Sequence, residues 1–238
     1  MFTVETWANL ALLVCCYGYI LIVILVTERV SHRVSQNSSR KFLHVMIGNL
    51  PFIIPFFSFN SFPLNFPFFV AAPFILVTFL ASPYSPVKSV SEKMSGLTEV
   101  TEGGHRLGLV FYAISYTILA FCFSAKPYLI AAGILPMAYG DAAASVIGEK
   151  FGKHKFNIFA RKSVEGSVAF FVVSFAALAF SLFFFSLLYP ISLFDSVLIS
   201  LGVAAIAAVI EALTPRGFDN LTVPILSALL FLVFAGVF

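Results

Sequence analysis

One aspartate stands out because it ends a long apolar run inside a stretch of small residues. Asp141 lies in GDAAASVIGEKFG, which spans residues 140–152. The small side chains after it let another backbone or a ligand come close, and Gly148 and Gly152 leave backbone amides accessible, as phosphate-binding loops do. A carboxylate beside lysines can hold Mg²⁺ that bridges nucleotide phosphates. The segment therefore predicts a magnesium–nucleotide site, with simple helix packing and a structural ion pair as alternatives.

A second polar segment, RKSVEG at residues 161–166, begins the next apolar run about 20 residues later. Lys162 can clamp phosphoryl oxygens. Glu165 is either a helix cap or a second carboxylate for a metal ion or an acceptor hydroxyl, and Gly166 permits close approach. The same loop carries further cations at Lys150, Lys153, Lys155 and Arg161. So positive a loop beside a carboxylate suits an anionic substrate with a divalent metal ion.

Basic residues also introduce an earlier apolar run, in RKFLH at residues 40–44. Helical spacing places Arg40 and His44 on one face, with Lys41 beside them. Arg40 and Lys41 could simply mark a membrane boundary and extend toward water. His44 lies about one turn inside the apolar helix, where a histidine needs a partner, and this favours a functional role.

Acidic groups flank the last connection, EALTPRGFDN at residues 211–220. Glu211 ends one apolar run, and Asp219 and Asn220 open the next. Asp219 could be an ordinary N-cap, but the connection is so short that it places three polar groups near the depth of Asp141. One further polar segment, residues 99–106, is either a mobile lid or a solvated loop.

The elements that position these groups must be membrane helices. The 238 residues are 60% hydrophobic and 11% charged, with a mean hydropathy of +1.01, whereas soluble domains are about 25% charged. A spanning helix needs roughly 20 apolar residues. We predict an all-α transmembrane bundle, one membrane domain over 1–238, with about eight spans. The spans lie near 7–27, 42–58, 66–82, 107–124, 127–147, 166–189, 192–212 and 221–238. Prolines interrupt the second and third, which are expected to be kinked or re-entrant.

The distribution of cations predicts the topology. Eight spans place the loops 28–41, 83–106, 148–165 and 213–220 on one side, and these loops hold 13 of the 14 lysines and arginines. Only Lys126 lies on the other side. The positive-inside rule then puts the N-terminus outside and the polar segments in the cytoplasm. The first apolar run has no basic stretch before it, so we expect it to be retained rather than cleaved.

Several classes of function are disfavoured. A net charge of +3, scattered among short loops, does not predict nucleic-acid binding. Three cysteines in apolar runs do not predict a disulfide framework. No zinc-ligand spacing, G-x-x-x-x-G-K-[ST] loop or nucleophile elbow is present. Oligomeric state is not predicted.

Taken together, the motifs resemble those of the CTP-dependent membrane lipid-alcohol kinases, a family that includes dolichol, phytol and farnesol kinases and CTP-dependent diacylglycerol kinases. The resemblance rests on GDAAASVIGEKFG followed by KSVEG, supported by RKFLH and EALTPRGFDN, and covers about residues 40 to 224. It implies a CTP-binding region formed by Asp141, Gly148, Gly152, Lys162, Ser163, Glu165 and Gly166. It also implies a basic entry motif at Arg40, Lys41 and His44, and a final acidic motif at Glu211, Asp219 and Asn220.

The chemistry expected from this resemblance is transfer of a phosphate from CTP to a membrane alcohol. Asp141 would hold Mg²⁺ with Glu165, Asp219 or Glu211. Lys162, with Lys153 or Arg40, would neutralise the transferred phosphoryl group, and Lys155 is a further candidate for nucleotide binding. His44, Glu165 and Asp219 are candidates for the general base. We expect a dolichol or polyprenol acceptor first and a phytol-type alcohol next.

Three alternatives remain at this point. Diacylglycerol could be the acceptor of the same reaction. A cytidylyltransferase would instead release pyrophosphate and form a CDP-lipid. A transporter would place its ionisable groups near the bilayer midplane on broken helices, whereas these groups are expected at one surface.

Overall fold

The computed structural model describes residues 3–31, 36–93, 107–215 and 217–236. Within them the chain forms two compact units, Met1–Pro127 and Tyr128–Phe238. The polar segment at 99–106, Arg33 and Arg216 lie outside the described residues.

Unit 1 is built around three apolar helices. Its elements are α1 (Val4–Ser31), α2 (Gln36–Ile47), two 3₁₀ turns (Leu50–Phe52 and Ile54–Phe56), β1 (Asn60–Ser61), β2 (Leu64–Asn65), α3 (Phe66–Leu80), α4 (Lys88–Lys93) and α5 (Gly108–Phe123). Helix α1 packs against α2 and α3, and α3 packs against α5. The strands β1 and β2 form a minimal antiparallel hairpin.

The second predicted span is interrupted. Helix α2 ends at Ile47, and the two 3₁₀ turns that follow carry Pro51 and Pro55 in their first turn. Proline has no N–H group, so it cannot continue the hydrogen bonding of a preceding α-helix. The next helix, α3, starts where Asn65 caps it by accepting a hydrogen bond from the Phe68 amide at 3.0 Å. The prolines thus divide this part of the chain into short pieces.

Unit 2 begins with a long helix that changes its winding midway. Its elements are α6 (Pro127–Leu135), a π turn (Pro136–Gly140), α7 (Asp141–Phe151), β3 (Lys155–Asn157), β4 (Arg161–Ser163), α8 (Val164–Ser186), α9 (Leu193–Leu213) and α10 (Asp219–Phe234). Helix α8 lies between α7 and α9, and α10 packs against α9. The inner side of α8 is fully buried at Phe170, Leu178, Leu182 and Phe185.

Four helices are long and apolar enough to cross a membrane: Val4–Val30, Pro127–Phe151, Val164–Ser186 and Leu193–Leu213. Shorter apolar helices lie at Phe66–Leu80, Gly108–Phe123 and Asp219–Phe234. Large apolar side chains such as Phe180 and Phe183 are exposed on the helix surfaces, as lipid contact requires. The all-α membrane bundle is therefore confirmed. The eight-span count, the outside N-terminus and the single domain over 1–238 stay predictions.

Candidate functional site

A buried ion pair joins the β3–β4 hairpin to the end of α9. Lys162 Nζ lies 2.6 Å from Glu211 Oε1 and also donates to the Glu211 carbonyl oxygen. The side chains are 13% and 6% exposed. In β4, Arg161 is exposed while Lys162 turns inward, because successive side chains of a strand point to opposite faces. Two residues that are 49 positions apart in the sequence thus meet at one point.

Two further carboxylates lie around this pair. Asp141 and Asp219 are 7% and 5% exposed, and both are close enough for their charges to act on Glu211. The π turn directly precedes Asp141, and π-type windings often occur at functional sites. The short connection after α9 returns the chain so that Asp219 begins α10. The structure therefore brings together Lys162, Glu211, Asp141 and Asp219.

Asp219 is not the N-cap of α10. The residue at the cap position is Phe218, with no side-chain cap. Asp219 Oδ1 instead accepts hydrogen bonds from the Asn220 backbone amide at 3.0 Å and from Asn220 Nδ2 at 3.4 Å. Asn220 Nδ2 also donates to the Gly217 carbonyl oxygen at 3.4 Å. These bonds hold the buried carboxylate in one orientation beside Glu211.

Three glycines and one serine form the contact between α7 and the start of α8. Ser163 caps α8, because its Oγ accepts a hydrogen bond from the Gly166 amide at 3.1 Å. A Cβ added to Gly148 or Gly166 would lie 3.0 Å from that Oγ, and one added to Gly152 would overlap the Gly148 carbonyl oxygen. These glycines thus allow two helices to approach closely. Their assignment to nucleotide binding stays a prediction.

We expect Gly152→Ala to destabilise the protein by roughly 1–3 kcal/mol, the usual cost of overpacking. The added methyl group meets backbone, which cannot move aside as a flexible side chain can. Gly18→Ala in α1 is the matched control, since nothing lies within 4 Å of the new Cβ. It should be neutral or stabilising by up to about 1 kcal/mol, because alanine favours a helix. Thermal unfolding of both variants in detergent tests this, and equal midpoints would contradict it.

Glu165 is held by a histidine that the sequence analysis did not single out. Its Oε1 lies 2.8 Å from His154 Nδ1, and the carboxylate also accepts from the His154 backbone amide at 3.2 and 3.3 Å. The His154 side chain is 80% exposed and that of Glu165 is 26% exposed. Glu165 is therefore engaged at the base of the hairpin. The two three-residue strands that create this geometry are too short to give a periodic signal.

The other predicted cations of unit 2 line the outside of the same hairpin. Lys153, Lys155 and Arg161 are exposed. Lys155 pairs with Ser163 across the hairpin, and Asn157 pairs with Arg161. Exposed lysines in this position can raise the local concentration of an anion by long-range electrostatic attraction.

Unit 1 carries the remaining predicted residues on α2. Arg40, Lys41 and His44 are 7%, 6% and 0% exposed. The His44 ring stacks on Tyr112 of α5 with centroids 4.6 Å apart, and the Tyr112 hydroxyl donates to the His44 carbonyl oxygen at 3.2 Å. The partner that His44 was expected to need is therefore, at least in part, the aromatic ring of Tyr112. Arg40 and Lys41 are buried, whereas cations that only mark a membrane boundary would extend toward water.

The carboxylates of unit 2 fit a magnesium–nucleotide complex by donor type. Mg²⁺ is usually held by one or two carboxylates, with phosphates and water completing its coordination. Asp141, Glu211 and Asp219 offer carboxylate oxygens next to an ammonium group. Among the described residues, no three histidine, cysteine or acidic side chains form a complete metal-binding cluster.

Phytol kinases are similar to this chain over most of its length. A phytol kinase of Synechocystis sp. is 38% identical over 132 residues, which are 54% of this chain and 54% of that protein. A probable chloroplastic phytol kinase of Triticum aestivum is 32% identical over 224 residues, covering 88% of this chain and 71% of that protein. Phytol kinase 1 of Arabidopsis thaliana is 28% identical over 235 residues, or 94% and 75%. The chain spans from about half to three quarters of these relatives.

No protein-family model and no solved structure matches the chain. The similarity to the wheat protein nevertheless covers 88% of this chain. It agrees with the resemblance seen in those motifs. The chain therefore belongs to the phytol kinase family of lipid-alcohol kinases.

Proposed function

We propose that this protein transfers the γ-phosphate of CTP to the hydroxyl group of an isoprenoid alcohol, giving the alcohol monophosphate and CDP. Family membership makes the chain a lipid-alcohol kinase. The observation that carries the finer proposal is the buried group of Lys162, Glu211, Asp141 and Asp219 in unit 2. Phosphoryl transfer needs positioned cations and carboxylates rather than a covalent protein intermediate.

In the proposed reaction, the alcohol oxygen forms a bond to the γ-phosphorus while the bond from that phosphorus to the β,γ-bridging oxygen breaks. The hydroxyl proton passes to a protein base, for which His44, Glu165 and Asp219 remain candidates. Bound Mg²⁺ would neutralise charge on the phosphate oxygens. Asp141 and Asp219 would hold this ion.

The role of Lys162 in this scheme is to face the transferred phosphoryl group. Glu211 fixes its ammonium group, because the hydrogen bonds at the carboxylate and at the backbone carbonyl restrict the side chain. A preoriented charge in a water-poor site stabilises a transition state more strongly than a mobile surface charge does. The exposed Lys153 and Lys155 would guide the nucleotide in.

The donor and the acceptor rest on different support. CTP as donor rests on the set of motifs that resembles the CTP-dependent kinases. For the acceptor, the relatives are named phytol kinases, so we place a phytol-type C20 alcohol before the dolichol or polyprenol expected from the motifs. The segregation of 13 of 14 cations supports a site that faces the cytoplasm.

Purified protein, incubated with γ-labelled CTP or ATP and a panel of lipid alcohols, tests this proposal. We expect label from CTP in the C20 isoprenoid alcohol, more than in polyprenol or diacylglycerol, with CDP as the nucleotide product. If label enters the lipid from ATP and not from CTP, the proposal that CTP is the phosphate donor is wrong. Pyrophosphate with a CDP-lipid would indicate the cytidylyltransferase, and label in no lipid would overturn the kinase proposal.

A further inference from the structure

An apolar pocket lies within unit 1. It lies between α1, α2, α3, α5 and the first 3₁₀ turn, and apolar clefts between helices are common sites for small molecules. Its walls are aliphatic and aromatic, with Ile20, Leu43, Leu50 and Phe74 among them. A pocket of this composition suits a hydrocarbon ligand.

Three hydroxyl groups line this pocket, and two of them are used by the protein. Thr78 donates to the Phe74 carbonyl oxygen at 2.6 Å, and Tyr112 donates to the His44 carbonyl oxygen. The Tyr116 hydroxyl is buried and has no hydrogen-bond partner among the described residues, although the residue is only 3% exposed. Since a buried hydroxyl without a partner is costly, this group points to a polar atom of a ligand.

The pocket adjoins the basic segment of α2. Leu43 lines the pocket, and His44 follows it directly. The His44 ring stacks on Tyr112, and the Tyr112 ring meets Tyr116 edge to face with centroids 6.3 Å apart. Three aromatic rings thus lead from α2, with its buried Arg40, to the Tyr116 hydroxyl.

We propose that this pocket binds the isoprenoid chain of the alcohol substrate, with the substrate hydroxyl bonded to Tyr116. The inference rests on the proposed function, which supplies an isoprenoid alcohol as the ligand. Among the described lining residues, Tyr116 carries the one hydroxyl without a hydrogen-bond partner, which matches an acceptor with one polar atom. Diacylglycerol carries ester carbonyls besides its hydroxyl, whereas the other two described hydroxyls of the lining are already bonded within the protein.

We expect Tyr116→Phe to raise the KM for a C20 isoprenoid alcohol by a few-fold to about tenfold, the usual effect of one hydrogen bond. The KM for the nucleotide should stay unchanged. Lipid-free Tyr116→Phe should be as stable as the wild type or more stable, because the lost hydroxyl had no partner among the described residues. Tyr112→Phe is the matched control, and it should unfold at a lower temperature because it loses the bond to the His44 carbonyl oxygen. An unchanged KM in Tyr116→Phe overturns the assignment of Tyr116.

Photo-crosslinking shows where the isoprenoid chain of the alcohol binds, independently of catalysis. A photoreactive C20 isoprenoid alcohol, added without nucleotide, should label peptides of α1, α3 or α5, and unlabelled C20 alcohol should compete. Ala71→Phe, which narrows the pocket, should lose this labelling while a C10 alcohol is still phosphorylated. If C20 alcohol is phosphorylated but labels only unit 2, or if phospholipid competes equally, the pocket proposal is wrong and the kinase proposal stands. If no alcohol is phosphorylated, the proposed function itself fails.

Discussion

Replacing Lys162 with methionine is expected to lower the free energy of unfolding by about 3–5 kcal/mol, because it leaves a buried carboxylate without its cation. Glu211 is only 6% exposed on its side chain and accepts the lysine at 2.6 Å. Methionine keeps most of the length of the side chain but removes the charge and all three donors. Activity should be lost as well, since the same ammonium group is proposed to face the phosphoryl group.

A double variant separates these two effects. Lys162→Met with Glu211→Leu removes both charges, and replacing a buried ion pair by apolar groups of similar volume is often neutral or stabilising. We expect stability to return toward the wild-type value while activity stays absent. A double-mutant cycle, measured by unfolding in detergent, gives the coupling between the two residues. Lys126→Met, at an exposed lysine predicted on the opposite side of the membrane, should change neither property. Full activity in the double variant would exclude the proposed role of Lys162.

Asp141→Asn is expected to reduce kcat by at least about 10²–10³-fold, the usual loss when one preoriented electrostatic group is removed. The fold should be retained, because asparagine has nearly the same shape and relieves repulsion between Asp141 and Glu211. A higher magnesium requirement should accompany the loss, since Asp141 is the proposed ligand of the ion.

The control for Asp141→Asn is Asp195→Asn. Asp195 is exposed in the first turn of α9, at the opposite end of that helix from Glu211, so its replacement should leave kcat and the magnesium requirement unchanged. Kinetics over a magnesium titration and thermal unfolding distinguish the roles. Wild-type kcat in Asp141→Asn would falsify the role of Asp141, whereas an unfolded variant would show a structural role instead.

Much of the bundle could be predicted from the sequence because membrane helices depend on local composition. A run of about 20 apolar residues crosses a bilayer whatever its neighbours are, and Leu193–Leu213 was expected within a residue at each end. The motifs around Asp141 and Lys162 likewise indicated the family, because they are contiguous. At Pro51 and Pro55 the sequence indicated that the second span is interrupted, but it did not indicate that two 3₁₀ turns replace the α-helix there.

Contacts between distant positions could not be predicted in the same way. Lys162 and Glu211 are 49 residues apart, and their pairing depends on the inward face of a three-residue strand and the end of α9. The engagement of Glu165 by His154 depends on the same hairpin. The glycines around Ser163 looked like open phosphate loops, yet the structure places them in a tight helix contact.

The amino-acid sequence alone determined that this protein is a membrane helical bundle and that its polar motifs resemble those of lipid-alcohol kinases. Both follow from local properties, namely apolar length and contiguous polar segments. Only the tertiary structure decided which carboxylates surround Lys162, and only it showed the pocket lined by Tyr116, whose hydroxyl has no hydrogen-bond partner among the described residues. Those features arise where several helices and a short hairpin meet, and the packing of side chains across elements sets them.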